Sequence, residues 1–379
     1  MIAALLGRKL SHSLSPQIHK FFGDIDYRLC EKEPDEVSAF VREFFTDGER
    51  DFLNVTIPYK RAVYELCDEL SPMAAKLENV NLVMRTKDGR LFGDNTDAFG
   101  FSRLLDSLKV SVRGKSAAVL GAGGAAMTAK AVLEERGTKS VSLIRRDELP
   151  SQDDQIIVNA TPVGMYPNVD ETRVDIAQYP NCEAVIDLVY NPSPTRLIRE
   201  ALSCGKRAAD GMVMLLAQAY QAWELMAGHG KTAAETIYLY GPPASGKSTW
   251  AKRLAAATRR EAVDVDAEIV RRAGCSIAEI FAREGEAKFR TMEKAVLRDL
   301  SAAKVPRIVA LGGGALLDKE NRALVEASGR VVVLDCPIET LKSRLAGADR
   351  PLSANPEALA ALVHARAAHY ASFANVVSL

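Results

Sequence analysis

Two glycine-rich turns of unlike spacing stand in the chain, and each has the chemistry of a phosphate cradle. The first, GAGGAA at residues 121–126, lies between an apolar run and a helical pattern. Gly121, Gly123 and Ala126 fit G-x-G-x-x-G/A, so Gly121, Ala122, Gly123, Gly124 and Ala125 could bring bare backbone against a pyrophosphate at a helix N-terminus. The spacing alone also fits a simple tight turn, and its place between strand and helix favours the dinucleotide reading. Arg145 and Arg146 stand after the next strand, where an NAD site has a carboxylate, and suit a 2′-phosphate and hence NADP, although Asp147 and Glu148 offset part of their charge. The second turn, GPPASGKS at residues 241–248, is G-x-x-x-x-G-K-S. Here the backbone of Ala244, Ser245, Gly246 and Thr249 would wrap the phosphates of ATP, Lys247 would reach the β and γ groups, and Ser248 would ligate Mg²⁺.

The elements around these turns predict an α/β protein. Over residues 2–97 short apolar runs such as IAALL and FLNVT alternate with helical patterns such as residues 35–45. From Lys115 onward, strand AAVL, the glycine turn, a helix over 125–136, Gly137 as a stop and strand VSLI give the βαβ order of a doubly wound sheet, which IIVN and AVID continue. The small, polar segment AGHGKTAAE, residues 227–235, follows an amphipathic helix and marks the main boundary; strand IYLY opens the next part. The expected organisation is an α/β substrate domain over 1–100 with 210–232 packing back on it, a Rossmann-type NADP domain over 101–209, and a P-loop domain with a parallel sheet over 236–379. The two parts on either side of 227–235 are expected to fold separately.

Composition narrows the function classes. In 379 residues, 47% are apolar and 26% charged, ordinary for globular proteins. Lys plus Arg (49) equals Asp plus Glu (49), so no global basic field draws nucleic acid or an anionic membrane, and anionic ligands must be met by local groups. Six scattered cysteines without C-x-x-C spacing suggest reduced thiols and a cytoplasmic setting. The N-terminal MIAALLGRK has the reverse of a signal peptide's charge order. The partners expected are small molecules, with no obligate protein partner indicated.

The motifs SHSLSPQIH (11–19), NVTIPYK (54–60), NVN (79–81), GDNTD (93–97), NATPVGM (159–165), DLVYNP (187–192) and DGMVMLLAQA (210–219) resemble the shikimate dehydrogenases, in that family's order and across about the first 230 residues. The resemblance implies that Ser13, Ser15, Thr56, Asn81, Asp97, Tyr190 and Gln218 hold shikimate, that Lys60 and Asp97 are catalytic, and that Leu188 and Gly211 line the NADP site. Ketone reduction by hydride builds an alkoxide, which an ammonium held against a carboxylate can protonate. Without the resemblance, Lys60 reads as an exposed helix lysine and Asp97 as a helix cap. The chain departs from the family at Met127, where an arginine is common, and at Ile144 and Arg146, which alter the usual Asn-Arg-Thr.

Downstream of the second turn, VDVDAEI, GCSIAEIFAREGEAKFRTME, LGGGA, RPL and RAAHY resemble the shikimate kinases across the remaining chain. That resemblance implies that Asp264 helps hold Mg²⁺, that Asp266, Arg290, Gly313 and Arg366 bind shikimate, that Arg344 packs on adenine, and that Arg350 closes over the phosphates. Lys247, Asp266 and Arg350 would then be the catalytic residues. Taken alone, Arg290 and Glu293 read as an i, i+3 surface ion pair. The two resemblances imply a bifunctional enzyme that reduces 3-dehydroshikimate with NADPH and phosphorylates the product. The alternative is a quinate/shikimate dehydrogenase carrying a degenerate nucleotide-binding regulator.

Overall fold

The computed structural model describes all residues except 47, 49, 228–234, 346–355 and 379, so the expected boundary at 227–235 lies almost wholly outside the described residues. The chain divides into two compact units, Met1–Ser13 with Ile25–His229, and Leu14–Asp24 with Gly230–Leu379.

The first unit holds two sheets. One is mixed and six-stranded, in the order Asp26–Glu31, Ile2–Gly7, Phe52–Val55, Leu82–Arg85, Leu91–Asp94, Glu69–Leu70. Leu82–Arg85 runs antiparallel to both its neighbours. The other is five-stranded and parallel, in the order Arg207–Ala209, Ala184–Asp187, Ile156–Asn159, Ser116–Leu120, Ser140–Ile144. Its three inner strands are almost fully buried, which is why they read as unbroken apolar runs rather than as alternation. Strand order reverses between Ser116–Leu120 and Ile156–Asn159, and at such a switch point the two carboxyl ends diverge into a crevice. Gly121 opens that crevice with φ +119, and a side chain there would lie 3.2 Å from the Ala160 carbonyl oxygen.

The second unit is built on a five-stranded parallel sheet in the order Glu261–Asp264, Arg307–Ala310, Thr236–Tyr240, Gly329–Asp335, Val376–Ser378. Every residue of the central strand TIYLY is buried. The long helix Ile277–Ser301 starts on a capping box, Ser276 with Glu279, and breaks at Gly285, where φ is +79. Segment Leu14–Asp24 counts with this unit, and the buried ring of Phe21 stacks on Trp250 at 5.5 Å. No helix among the described residues is long and apolar enough to cross a membrane.

Candidate active sites

In the first unit, strand Phe52–Val55 ends at Thr56, whose N–H donates to the Leu6 carbonyl at 2.9 Å. The chain then enters the short helix Lys60–Tyr64, which places Lys60 at the start of its first turn. Asp97 lies in the first turn of helix Thr96–Leu108, but it is not the cap. That role belongs to Asn95, whose side-chain oxygen accepts from Ala98 N at 3.3 Å. The Asp97 carboxylate is thereby left for other partners: Lys60 Nζ donates to Oδ2, and Asn81 Nδ2 donates to Oδ1 at 2.9 Å. Asn81 is fixed in turn, because its Oδ1 accepts from Thr96 N at 2.7 Å. With side chains only 22% and 14% exposed, Lys60 and Asp97 form a sheltered pair, not a solvated helix lysine and a cap. Ser13 sits in the turn after the first strand, its N–H bonded to Leu10 O at 2.9 Å; Ser15 begins the short helix Ser15–His19, in the segment that counts with the second unit. Gln218 stands on helix Met212–Ala227, where its Nε2 donates to Leu215 O at 3.0 Å, and burial pushes the Tyr190 hydroxyl above the usual phenol range.

The glycine turn leads into helix Gly124–Glu135, whose first residue follows Gly123 with no side-chain cap, and a side chain at Gly123 or Gly124 would meet nothing within 4 Å. Uncapped N–H groups behind an open surface fit a pyrophosphate. Arg145 and Arg146 are exposed just past strand Ser140–Ile144, and neither guanidinium makes an ion pair among the described residues. Leu188 follows strand Ala184–Asp187 and is pressed against Gly211, where a Cβ would lie only 2.2 Å from the Leu188 carbonyl oxygen. The same turn is held from below by Asp187. This residue is fully buried, and its carboxylate accepts from Asn159 Nδ2 (2.9 Å), Val189 N (3.0 Å) and Thr195 Oγ1 (2.7 Å). Burial, reinforced by the charge of Asp210, pushes its pKa up to about 6. The motif DLVYNP alone assigns Asp187 no role; the local signal for it is a carboxylate at the end of a buried strand.

In the second unit, the phosphate loop turns on Gly241 (φ +130), Ala244 (φ +62) and Gly246 (φ +90) before helix Lys247–Thr258. Lys247 is buried, and its ammonium donates to the carbonyls of Gly241 (3.0 Å) and Pro242 (2.7 Å), which aims it into the loop. Ser248 Oγ donates to Asp264 Oδ2 at 2.5 Å, an all-oxygen pair suited to a hard cation such as Mg²⁺. Asp264 also caps helix Val265–Ala273, whose first turn carries Asp266.

The glycine run after strand Arg307–Ala310 forms the floor on which the remaining residues meet. A side chain at Gly312 would reach Glu293 Oε1 at 2.8 Å and Asp266 Oδ1 at 3.4 Å; one at Gly314 would reach the guanidinium groups of Arg290 at 3.1 Å and Arg366 at 3.2 Å. Arg366 Nη1 and the Tyr370 hydroxyl both donate to the Gly313 carbonyl, at 3.1 and 2.8 Å. Arg290 Nη1 donates to Glu293 Oε2 at 2.7 Å, yet Glu293 is fully buried, with its other oxygen unpartnered, so this is no surface ion pair. Burial raises the Glu293 pKa against the opposing pull of Arg290. Arg344 Nη1 contacts Cys336 Sγ at 3.7 Å, whereas Arg350 lies outside the described residues.

Comparison with known proteins brings in two families. A family model for the shikimate dehydrogenase substrate binding domain matches residues 5–83, and one for shikimate kinase matches residues 243–379. A shikimate dehydrogenase (NADP(+)) of Clostridium beijerinckii is 35% identical over 244 residues, which cover 58% of this chain and 90% of that protein. The solved structure of shikimate 5-dehydrogenase from Thermus thermophilus, in complex with NADP(H) and shikimate, is similar at 28% identity and a TM-score of 0.57, covering 68% of this chain and 99% of that one. A chorismate mutase/shikimate 5-dehydrogenase fusion from Clostridium acetobutylicum is similar at 31% identity and a TM-score of 0.56, covering 60% and 91%.

Proposed function

Because the chain belongs to the shikimate dehydrogenase family and carries a shikimate kinase domain after that region, we propose that it reduces 3-dehydroshikimate to shikimate and then phosphorylates shikimate on its 3-hydroxyl. The observation that carries the reading is the sheltered Lys60–Asp97 pair, set by Asn81 and by two helix starts. A random surface lysine has no such support.

The turn at residues 121–126 would hold NADPH, which would supply the hydride. Lys60 then delivers a proton to the oxygen of the former ketone, and Asp97 keeps the ammonium oriented and stabilises its charge before transfer. Asn81 holds the carboxylate that holds the lysine. In the kinase half, Arg290 and Arg366 present planar forks to the substrate carboxylate above Gly314. Asp266 orients the attacking hydroxyl and accepts its proton, while Lys247 neutralises charge on the transferring phosphoryl group. Ser248 and Asp264 would hold Mg²⁺ beside the phosphates of ATP. A cytoplasmic setting is supported by six cysteines that are all free.

The test is an order-of-addition experiment on the intact purified chain. With 3-dehydroshikimate and ATP–Mg²⁺ present, ADP should form only after NADPH is added. ADP release independent of NADPH and of shikimate would sink the coupled reading.

A further inference from the structure

The turn carrying Arg145 and Arg146 is not held by its own sequence alone. Glu148 N donates to Arg145 O at 3.1 Å, and Glu148 Oε2 accepts from Arg145 N at 2.8 Å, which closes residues 145–148 into a tight ring. Beneath that ring lies Arg173, from a segment remote in sequence. Its Nη2 donates to the carbonyls of Arg145 (2.6 Å), Arg146 (3.0 Å) and Glu148 (3.2 Å), and its Nη1 reaches the Ile144 carbonyl at 3.4 Å. Arg173 is itself anchored by the next residue, Val174, which is buried in the same apolar cluster as Ile144.

We propose that Arg173 is a positioning residue that sets the preference for a 2′-phosphorylated dinucleotide, and that Glu148 opposes it. The proposal rests on the reading that Arg145 and Arg146 meet the 2′-phosphate. One guanidinium gathering four carbonyls fixes the backbone of both arginines, so their side chains leave the turn in set directions and lose less freedom when an anion arrives. It also adds a third positive charge under the turn without occupying the surface that the ligand needs. Glu148 acts in the other sense: its carboxylate already sits on the Arg145 N–H, a donor suited to a phosphate oxygen, and its charge repels that phosphate. Leu149, exposed at the rim, adds no cation to balance it.

The experiment measures dissociation constants of NADPH and NADH by nucleotide fluorescence on the intact chain, with the urea midpoint of the dehydrogenase half as a check that the protein is folded. Arg173→Ala should weaken NADPH about tenfold while NADH changes less than about threefold, since charge-assisted bonds act on the phosphate alone. Arg173→Lys, which cannot span four carbonyls, should fall between wild type and alanine, and Glu148→Gln should tighten NADPH and leave NADH unchanged. Equal loss of both nucleotides in Arg173→Ala and Arg173→Lys, or no loss of either, overturns the proposal. The double variant Arg145→Ala/Arg146→Ala separates the two levels. If it loses NADPH selectivity and the Arg173 variants do not, only the positioning role fails; if it keeps selectivity, the reading beneath it fails as well.

Discussion

Replacing Arg290 by alanine should have two separable consequences. The first is on the substrate: of the two guanidinium groups that converge above Gly314, only that of Arg366 would remain. Removing one partner of a buried charge pair costs about 2–4 kcal/mol, which is about 30- to 900-fold in the shikimate requirement of the kinase. The second is on the fold. Glu293 would lose the cation that its Oε2 now contacts at 2.7 Å while staying fully buried. An uncompensated buried charge costs about 3–5 kcal/mol, but burial already raises the Glu293 pKa, so the carboxyl would take up a proton and the loss should fall below that range. Arg290→Ala/Glu293→Gln should therefore recover stability and leave the substrate defect in place. The assay is ADP release against shikimate concentration on the intact chain without NADP(H), so that the dehydrogenase half turns nothing over. KM for ATP and the urea midpoint are followed in parallel. Recovery of the shikimate KM in the double variant would show that Arg290 only buttresses Glu293, and a rise in KM for ATP as large as that for shikimate would show that it faces the wrong ligand.

Lys60→Ala should abolish ketone reduction and leave phosphorylation intact, whereas Lys247→Ala should do the reverse; loss of both activities in either variant, with the fold preserved by circular dichroism, would contradict two self-sufficient sites. Asp187 should leave a mark on stability against pH. Its folded pKa of about 6 lies above the ordinary aspartate value of 3.8, so the folded chain holds this proton more tightly, and the stability present below about pH 4 is lost as pH rises through 6, a change of about 3 kcal/mol. Asp187→Asn lacks that slope, and parallel stability curves for wild type and variant between pH 4 and 7 would refute the assignment.

Much of the architecture was legible because buried parallel strands announce themselves: SAAVL, IIVN, AVID and TIYLY are continuous apolar runs, the first and last of them leading into glycine turns. The proposed reacting groups were legible only through motifs, since spacing alone makes Asp97 a cap and Arg290 half of a surface pair. A neighbouring residue decides each case. Asn95 takes the capping role from Asp97, and the burial of Glu293 removes its pair with Arg290 from the surface. The cap is a local signal, since Asn is a strong N-cap three residues before Ala98, whereas the burial of Glu293 has none, because it depends on which elements the tertiary fold lays side by side. The same holds for Arg173, whose four acceptors lie 25 to 29 residues upstream.

The contact of Gly211 with the Leu188 carbonyl bears on how the proposed dinucleotide site can change over generations. At 2.2 Å no side chain fits, not even a methyl group, so position 211 admits one residue, and any replacement must displace the main chain instead of adjusting a surface. The far end of the proposed site is the opposite case: Arg145, Arg146 and Glu148 are exposed and can be exchanged one at a time at little cost to the fold. One end of the site is frozen and the other is free to drift. A lineage could thus move between dinucleotides by single substitutions at the rim while the end set by Leu188 and Gly211 stays fixed, and selection for a new cofactor would leave its record at residues 145–149 and 173 rather than at 211.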